Sequence, residues 1–89
     1  MSEAQYEAVF QIEFLEDLAH WMQADRRVGT KLLSLVKATL KDPFDGVGKP
    51  ERLRQFAGDV WSRRITQEHR LVYEVQGNRI QFLQGRYHY

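Results

Sequence analysis

The segment "VWSRRITQEHRLVYEVQGNRIQFLQ", residues 60–84, decides the fold class. Polar and apolar residues alternate over residues 60–65 and again over residues 70–76, which is the period of a β-strand. The dipeptide Gly77–Asn78 is typical of a two-residue hairpin turn. A last strand is predicted over residues 79–87. The segment therefore predicts three neighbouring strands in an antiparallel sheet.

The N-terminal half has the period of helices instead. Residues 13–23 are predicted to form a first amphipathic helix and residues 26–41 a second. Asp25 is a suitable N-cap for the second helix, and Pro43 marks its end. The face of the first helix is assigned to Leu15, Leu18, Ala19 and Met22, and that of the second to Val28, Leu32, Leu35, Val36 and Leu40. Two helices with so short a joint predict an antiparallel hairpin.

The remaining segments complete the expected order of elements. Residues 42–51, "DPFDGVGKPE", hold two prolines and two glycines and predict a loop. A short strand is expected over Tyr6–Gln11, and an additional one near Leu53–Phe56. Strands segregated from helices predict an α+β fold, in which an antiparallel β-sheet packs against an N-terminal α-helical hairpin.

Length and composition narrow the class of protein. The chain has 89 residues, so we expect one domain spanning residues 1–89. It contains no cysteine, which excludes disulfides and thiolate chemistry and favours the cytoplasm. No apolar run approaches the roughly 20 residues of a membrane span, and the acidic start does not resemble a signal peptide. We therefore expect no membrane association.

The net charge of +1 conceals an asymmetry along the chain. Residues 1–48 carry five cations and eight acids, whereas residues 49–89 carry eight cations and four acids. Seven of those eight cations are arginine, whose planar fork suits phosphate. A polyanionic partner and a solvated surface with a chance asymmetry both remain open on this observation.

The basic half also contains the groups that cleave RNA without a metal ion. A carboxylate base, an imidazole acid and a cation clamp suffice for attack of a 2′-hydroxyl on the neighbouring phosphorus. The candidates that the sheet could bring together are Lys49, Glu51, Arg54, Arg63, Arg64, Arg70, His88 and Tyr89. The alternative is structural: a solvated acid at Glu51, edge protection by Arg63 and Arg64, and an idle histidine near the chain end. Histidines without ligand spacing predict no metal site, and no cofactor is expected.

Three stretches carry a resemblance to a known family. The motifs "DPFDGVGKPERL", "WSRRITQEHRLVYEV" and the terminal "RYHY" closely resemble the YoeB (Txe/YoeB) toxins of the RelE-like superfamily, from about Phe10 to Tyr89. The resemblance implies the RelE-like fold and a ribosome-dependent endoribonuclease that cuts mRNA in the A site. It further implies inhibition by a YefM-type antitoxin, a homodimer, and contact with operator DNA only through the antitoxin.

The resemblance also implies roles for individual residues. Glu51 matches the general base, Arg70 the arginine that stabilises the phosphorane, and His88 the general acid. Tyr89 matches a terminal tyrosine that holds the substrate, and Arg64 a phosphate contact. The family often has lysine at the place of Arg54, so the charge is kept but the geometry changes. Lys49 and Arg63 complete the predicted set of phosphate-binding cations.

Two alternatives to cleavage remain open. A non-cleaving RelE-like or ParE-like toxin would act by binding, for example to DNA gyrase, and a corepressor would act on DNA together with its antitoxin. The presence of Glu51, Arg70, His88 and Tyr89 in one chain favours the ribonuclease, because a non-cleaving relative need not keep all four.

Overall fold

The helices and strands fall close to the predicted segments. The computed structural model describes residues 6–86. Its elements follow the order β1 (Glu7–Phe10), α1 (Ile12–Ala24), α2 (Arg26–Lys41), β2 (Glu51–Arg52), β3 (Val60–Arg64), β4 (Arg70–Gln76) and β5 (Arg79–Gln84). None of the helices in this part of the chain is long and apolar enough to cross a membrane.

The predicted meander is confirmed. The strands β3, β4 and β5 pair antiparallel in this order, and Gln76 opposes Arg79 across the turn. Gly77 takes a φ of 61° in that turn, a conformation that glycine adopts without steric cost. One irregularity between Val72 and Tyr73 shifts the register of β4 against β5. The pairing of β4 with β5 therefore has one register at Val72 and another from Tyr73 to Gln76.

The first strand corrects the prediction of an all-antiparallel sheet. β1 lies at the sheet edge beside β5 and pairs with it in parallel, with Glu7 opposite Arg79 and Phe10 opposite Phe82. The strand order is β1-β5-β4-β3-β2, so the sheet is mixed. Local alternation predicts that a strand forms but not its direction. A parallel pair needs a long crossover, and here the helical hairpin and the rest of the sheet supply it.

The additional short strand lies earlier in the chain than predicted. β2 consists of Glu51 and Arg52, which pair antiparallel with Ser62 and Trp61 of β3. Beyond it the Leu53 amide still donates to the Val60 carbonyl at 2.8 Å, and then the chain turns. The extra strand expected near Leu53–Phe56 therefore forms two residues earlier, because Leu53 is buried at the end of this ladder and Phe56 remains 43% exposed.

The face of α1 that packs on the sheet differs from the prediction. Phe14 and Trp21 are buried and Leu18 packs beside them, whereas Leu15 remains 44% exposed. Phe14 rather than Leu15 faces the sheet because its ring lies against those of Phe10 and Phe82, at centroid distances of 5.3 and 5.9 Å. Aromatic rings bury more apolar area than leucine does.

For α2 the predicted face is confirmed, because its residues lie in the same core. Leu32, Leu35 and Val36 are buried, and Val28 and Leu40 pack against them.

The end of β5 is fixed to the first helix. The Trp21 Nε1–H donates to the Gly85 carbonyl at 2.9 Å, and the Gly85 amide donates to Asp17 Oδ2 at 2.9 Å. Gly85 also packs so closely on α2 that an added Cβ would lie 2.8 Å from Leu32 Cδ2. These contacts set the point at which the chain leaves the sheet.

We predict that Trp21→Phe lowers the free energy of unfolding by about 1–3 kcal/mol, because the buried Gly85 carbonyl loses its donor. Trp61→Phe is the matched control. Its indole N–H donates to the Asp59 carboxylate, which is 37% exposed and can bond to water instead. Urea denaturation of both variants, followed by circular dichroism, measures the difference. Equal losses in the two variants would contradict the anchoring role of Trp21.

Candidate active site

The face of the sheet away from the helices carries a small apolar cluster and a set of polar side chains. Leu53, Val60 and Val72 form the cluster, which is separate from the main core. Ser62 follows Val60 by two residues, and Arg70 precedes Val72 by two. Because side chains two residues apart in a strand share a face, Ser62 and Arg70 belong to this open face.

Strand pairing adds a carboxylate to the same face. Glu51 lies directly opposite Ser62 in the β2–β3 ladder. The Arg70 Nη1 atom lies 3.5 Å from Glu51 Oε1 and donates to Ser62 Oγ at 3.3 Å. The structure thus brings together two of the predicted catalytic residues, 19 positions apart in the chain, and adds a serine hydroxyl.

The carboxylate and the guanidinium are accessible. The Glu51 side chain is 65% exposed and that of Arg70 26% exposed. An ion pair so open to water contributes little to stability, about 0–1 kcal/mol. The pair borders a cleft with a volume of about 550 Å³, lined by Glu51, Arg52, Leu53, Arg54, Gln55, Ser62 and Arg70. Both groups can therefore contact a ligand without a change in the fold.

The predicted phosphate-binding cations fall into three different environments. Arg54 lines the cleft beside Glu51 and Arg70. Lys49 and Arg64 instead line a second groove of about 430 Å³, whose other lining residues are Lys31, Ser34, Leu35, Val47 and Gly48. This second groove lies between α2 and the loop that precedes β2, and Lys31 adds a third cation to it.

Arg63 corrects the prediction of a phosphate contact. Its side chain is fully buried, with 0% exposure, on the face that carries the main core. The guanidinium donates to the backbone carbonyls of Asp42, Asp45 and Val47 and, through Nε, to the Tyr73 hydroxyl. The adjacent Arg64 is exposed, because successive side chains of a strand point to opposite faces. Arg63 is therefore neither a surface phosphate ligand nor a guard of the sheet edge.

The segment before Glu51 has an unusual backbone. Lys49 takes a φ of 53°, and no other non-glycine residue among residues 6–86 has a positive φ. Gly48 before it has a φ of 84°, and an added Cβ there would lie 3.0 Å from Arg63 Cβ. Left-handed conformations outside glycine are uncommon and persist where the surroundings impose them. The turn that delivers Glu51 is thus constrained at two successive residues.

Burial raises the pKa of the Tyr73 phenol, and the hydrogen bond from Arg63 opposes that shift only in part. The hydroxyl therefore stays protonated at neutral pH and donates to the Pro43 carbonyl at 2.6 Å. Through this bond Tyr73, on β4, holds the beginning of the loop that leads to Glu51. Alternation over residues 70–76 predicts only that Tyr73 lies in a strand. The contact itself leaves no local pattern, because the phenol and the carbonyl are 30 positions apart.

The predicted residues His88 and Tyr89 lie outside the described residues. The structure does fix the direction of the strand that precedes them. Gln84 opposes Val72 in β4, and β5 runs antiparallel to β4, so the end of β5 lies at the end of the sheet where Arg70 begins β4.

Five polar lining residues of these two sites are not among the predicted ligands: Arg52, Gln55 and Ser62 in the cleft, and Lys31 and Ser34 in the second groove. The sequence pattern does predict the position of Ser62, because alternation with Val60 places it on the open face. It does not single out Lys31, because an exposed lysine on an amphipathic helix is the usual case.

Comparisons with known proteins agree with the fold and with the motifs. A family model described as the YoeB-like toxin of bacterial type II toxin-antitoxin systems matches residues 10–89. Toxin YoeB of Escherichia coli strain K12 is 44% identical over 77 residues, which cover 86% of this chain and 92% of that protein.

Solved structures give the same result. A YoeB/ParE toxin from Agrobacterium tumefaciens superposes with a TM-score of 0.86 at 41% identity and covers 93% of this chain and 99% of its own. A YoeB dimer from Staphylococcus aureus gives a TM-score of 0.84 at 36% identity, with coverages of 97% and 100%. The heterotetrameric YoeB-YefM toxin-antitoxin complex of S. aureus gives 0.80 at 36% identity, with the same coverages.

We predict that stability falls as the pH rises above about 10, in part because of Tyr73. The raised pKa means that the folded state keeps this proton after the unfolded phenol, with its ordinary pKa of 10.0, has lost it. The contribution is fully present below that pH and is lost as the pH rises toward the folded-state pKa. Urea denaturation between about pH 8 and about pH 11 should show a steeper loss in the wild type than in Tyr73→Phe. Parallel pH slopes in the two proteins would contradict the assignment.

Proposed function

Because this chain belongs to the YoeB-like toxins of bacterial type II toxin-antitoxin systems, we propose that it is a ribosome-dependent endoribonuclease that cleaves mRNA in the A site and halts translation. The observation that carries the proposal is the contact between Glu51 and Arg70 in an open cleft. A carboxylate that can take a proton and a cation that can stabilise negative charge are two requirements of RNA cleavage by its own 2′-hydroxyl.

In the proposed reaction a carboxylate oxygen of Glu51 takes the proton of the 2′-hydroxyl as that oxygen attacks the adjacent phosphorus. The phosphorane gains negative charge, and the Arg70 guanidinium stabilises it by donating hydrogen bonds. The His88 imidazolium gives its proton to the 5′-oxygen as the bond from phosphorus to that oxygen breaks. The products are a 2′,3′-cyclic phosphate and a 5′-hydroxyl, and the scheme uses no metal ion or other cofactor.

The other polar residues hold the substrate in this proposal. Ser62 accepts a hydrogen bond from Arg70 Nη1 and so orients the guanidinium toward the cleft. Arg54 contacts a phosphate in the cleft, while Lys49 and Arg64 contact phosphates farther along the RNA strand, in the second groove. Tyr89 adds stacking or a hydrogen bond. Arg63 has no part in substrate binding.

The partners follow from the family. The S. aureus relatives form a YoeB dimer and a YoeB-YefM complex. We propose that this chain likewise forms a homodimer, and that a YefM-type antitoxin inhibits it and provides the contacts to operator DNA. We also propose that it acts in the bacterial cytoplasm, where ribosomes and mRNA are found.

We predict that Glu51→Gln lowers the rate of mRNA cleavage on ribosomes by about 10²–10⁴-fold, because glutamine keeps the shape but cannot take a proton. Glu16→Gln, an exposed carboxylate on α1, is the matched control and should cleave as the wild type does. Single-turnover assays on ribosomes that carry a defined codon in the A site measure the rates, and mapping of 5′ ends locates the cuts.

Two results would refute the assignment. A Glu51→Gln rate within about tenfold of the wild type would exclude Glu51 as the base. Arrest of growth with intact mRNA would exclude cleavage altogether and favour the ParE-like alternative, in which the toxin acts by binding.

We further predict that deletion of His88 and Tyr89 abolishes cleavage, since it removes the proposed acid and a substrate contact. The free energy of unfolding should change by no more than about 0.5 kcal/mol, because the anchors at Gly85 remain. Toxicity after induction in a bacterium and urea denaturation of the truncated chain are the two measurements. A toxic truncated chain would rule out catalysis by the terminal residues.

A further inference from the structure

We infer that Arg63 and Tyr73 are positioning residues for Glu51, which they place by holding the loop that leads to it. This anchor loop comprises residues 42–50, between α2 and β2. The inference rests on the proposed function, because it concerns the residue proposed as the base. Neither Arg63 nor Tyr73 lines the cleft, so both act at a distance from the substrate.

The Arg63 guanidinium is the centre of a ring of loop carbonyls. Nη2 donates to the carbonyls of Asp42 and Asp45, the latter at 3.0 Å, and Nη1 donates to that of Val47 at 3.0 Å. One side chain therefore binds three peptide groups spread over six residues of the anchor loop. No other side chain among residues 6–86 makes as many of the described hydrogen bonds to this loop.

Tyr73 closes the ring from the neighbouring strand. Its hydroxyl accepts a hydrogen bond from Arg63 Nε at 3.2 Å and donates one to the Pro43 carbonyl at 2.6 Å. Both side chains are fully buried, and Tyr73 also packs on Phe82 in the core. The anchor loop is thus tied to two adjacent strands by hydrogen bonds from two buried side chains.

The oxygens that hold Arg63 are neutral. None of the described ion pairs involves Arg63. The carboxylates of Asp42 and Asp45 instead accept hydrogen bonds from the amides of Phe44 and Gly46 inside the loop. A buried charge is costly, and apolar replacements of buried charges often stabilise proteins. A fork that binds three carbonyls is therefore better explained by a need for one loop conformation than by stability alone.

The conformation of the anchor loop extends to Glu51 through two contacts. The Arg64 amide donates to the Gly48 carbonyl at 2.7 Å, and the Arg63 Cβ packs on Gly48. The left-handed Lys49 and then Pro50 follow, so little rotational freedom separates Gly48 from Glu51. β2 itself has only two residues and cannot hold its register alone.

A general base must stand at a precise distance from the proton that it takes, so the position of Glu51 affects the rate. A displacement of about 1 Å in a reacting group can cost about 10²-fold in rate. The Glu51 side chain is exposed, and within residues 6–86 its one described side-chain contact is that of 3.5 Å with Arg70, so its backbone position determines most of its placement. Loosening the anchor loop should therefore reduce the rate of the chemical step more than it weakens substrate binding, to which Lys49 of the same loop is proposed to contribute.

The test compares Tyr73→Phe and Arg63→Lys with Ile80→Val. Tyr73→Phe removes one hydroxyl, Arg63→Lys removes the fork but keeps the charge, and Ile80→Val removes one methylene from the core two strands away from β3. Three quantities are measured for each variant: kcat and KM of cleavage on programmed ribosomes, and the rate of hydrogen exchange of the Arg64 amide, which bonds to Gly48.

We expect Tyr73→Phe and Arg63→Lys to lower kcat by about 10- to 100-fold, to change KM by a smaller factor, and to speed exchange at Arg64 by at least about tenfold. Ile80→Val should leave all three quantities within about twofold, although it also destabilises the fold. If Arg63→Lys does not fold, Tyr73→Phe alone decides the result, because it loses only one oxygen.

Three outcomes would overturn the inference. A kcat equal to that of Ile80→Val would show that the loop does not position the base. A loss in kcat without faster exchange at Arg64 would show that the effect does not pass through the loop, and a loss confined to KM would indicate binding. A wild-type chain that does not cleave mRNA would refute the proposed function instead, and hydrogen exchange would still report whether Arg63 and Tyr73 hold the loop.

Discussion

The hydrogen bonds between the buried Arg63 guanidinium and the carbonyls of the anchor loop are the constraint on which the rest of the site depends. They fix a segment that has no regular secondary structure and carries two prolines and two constrained residues, Gly48 and Lys49. From this segment the chain enters β2, where Glu51 meets Arg70. In the proposed arrangement, the buried Arg63 guanidinium thus positions the Glu51 carboxylate at the surface. Substitution of Arg63 would therefore act on the cleft although the residue does not touch it.

The sheet divides stability and chemistry between its two faces. The face under the helices carries the aromatic core around Phe82, and most of the buried apolar area lies there. Within residues 6–86 the open face carries the small cluster of Leu53, Val60 and Val72. Beside this cluster Ser62 is buried, whereas Glu51 and Arg70 remain accessible. The contact of Glu51 with Arg70 adds little to stability because it is exposed, and for the same reason it can be given up to a substrate.

The two segments that lead to the proposed catalytic residues are each held by hydrogen bonds from side chains of other elements. At one end, Tyr73 and Arg63 hold the anchor loop. At the other, Trp21 and Asp17 of α1 hold Gly85, beyond which the proposed acid and the terminal tyrosine follow. A chain of 89 residues has a small core, and buried hydrogen bonds to backbone groups define single conformations where apolar packing alone would not. The surface functions therefore depend on a few directional contacts inside the molecule.

The sequence by itself determined the helices, the three-strand meander, the α+β class and the motifs of the toxin family, and it also named Glu51 and Arg70 as candidates. These features are encoded locally, because the period of apolar residues and the turn signals act over a few neighbouring positions. Tertiary structure alone decided the parallel direction of β1, the position of β2, and the division of cations between cleft and groove. It also separated Arg63 from Arg64: alternation puts one of each neighbouring pair inside, but only the distant Tyr73 hydroxyl and the loop carbonyls make burial of an arginine possible. Contacts between residues 10 to 30 positions apart leave no periodic signal in the sequence, and therefore only the folded chain shows them.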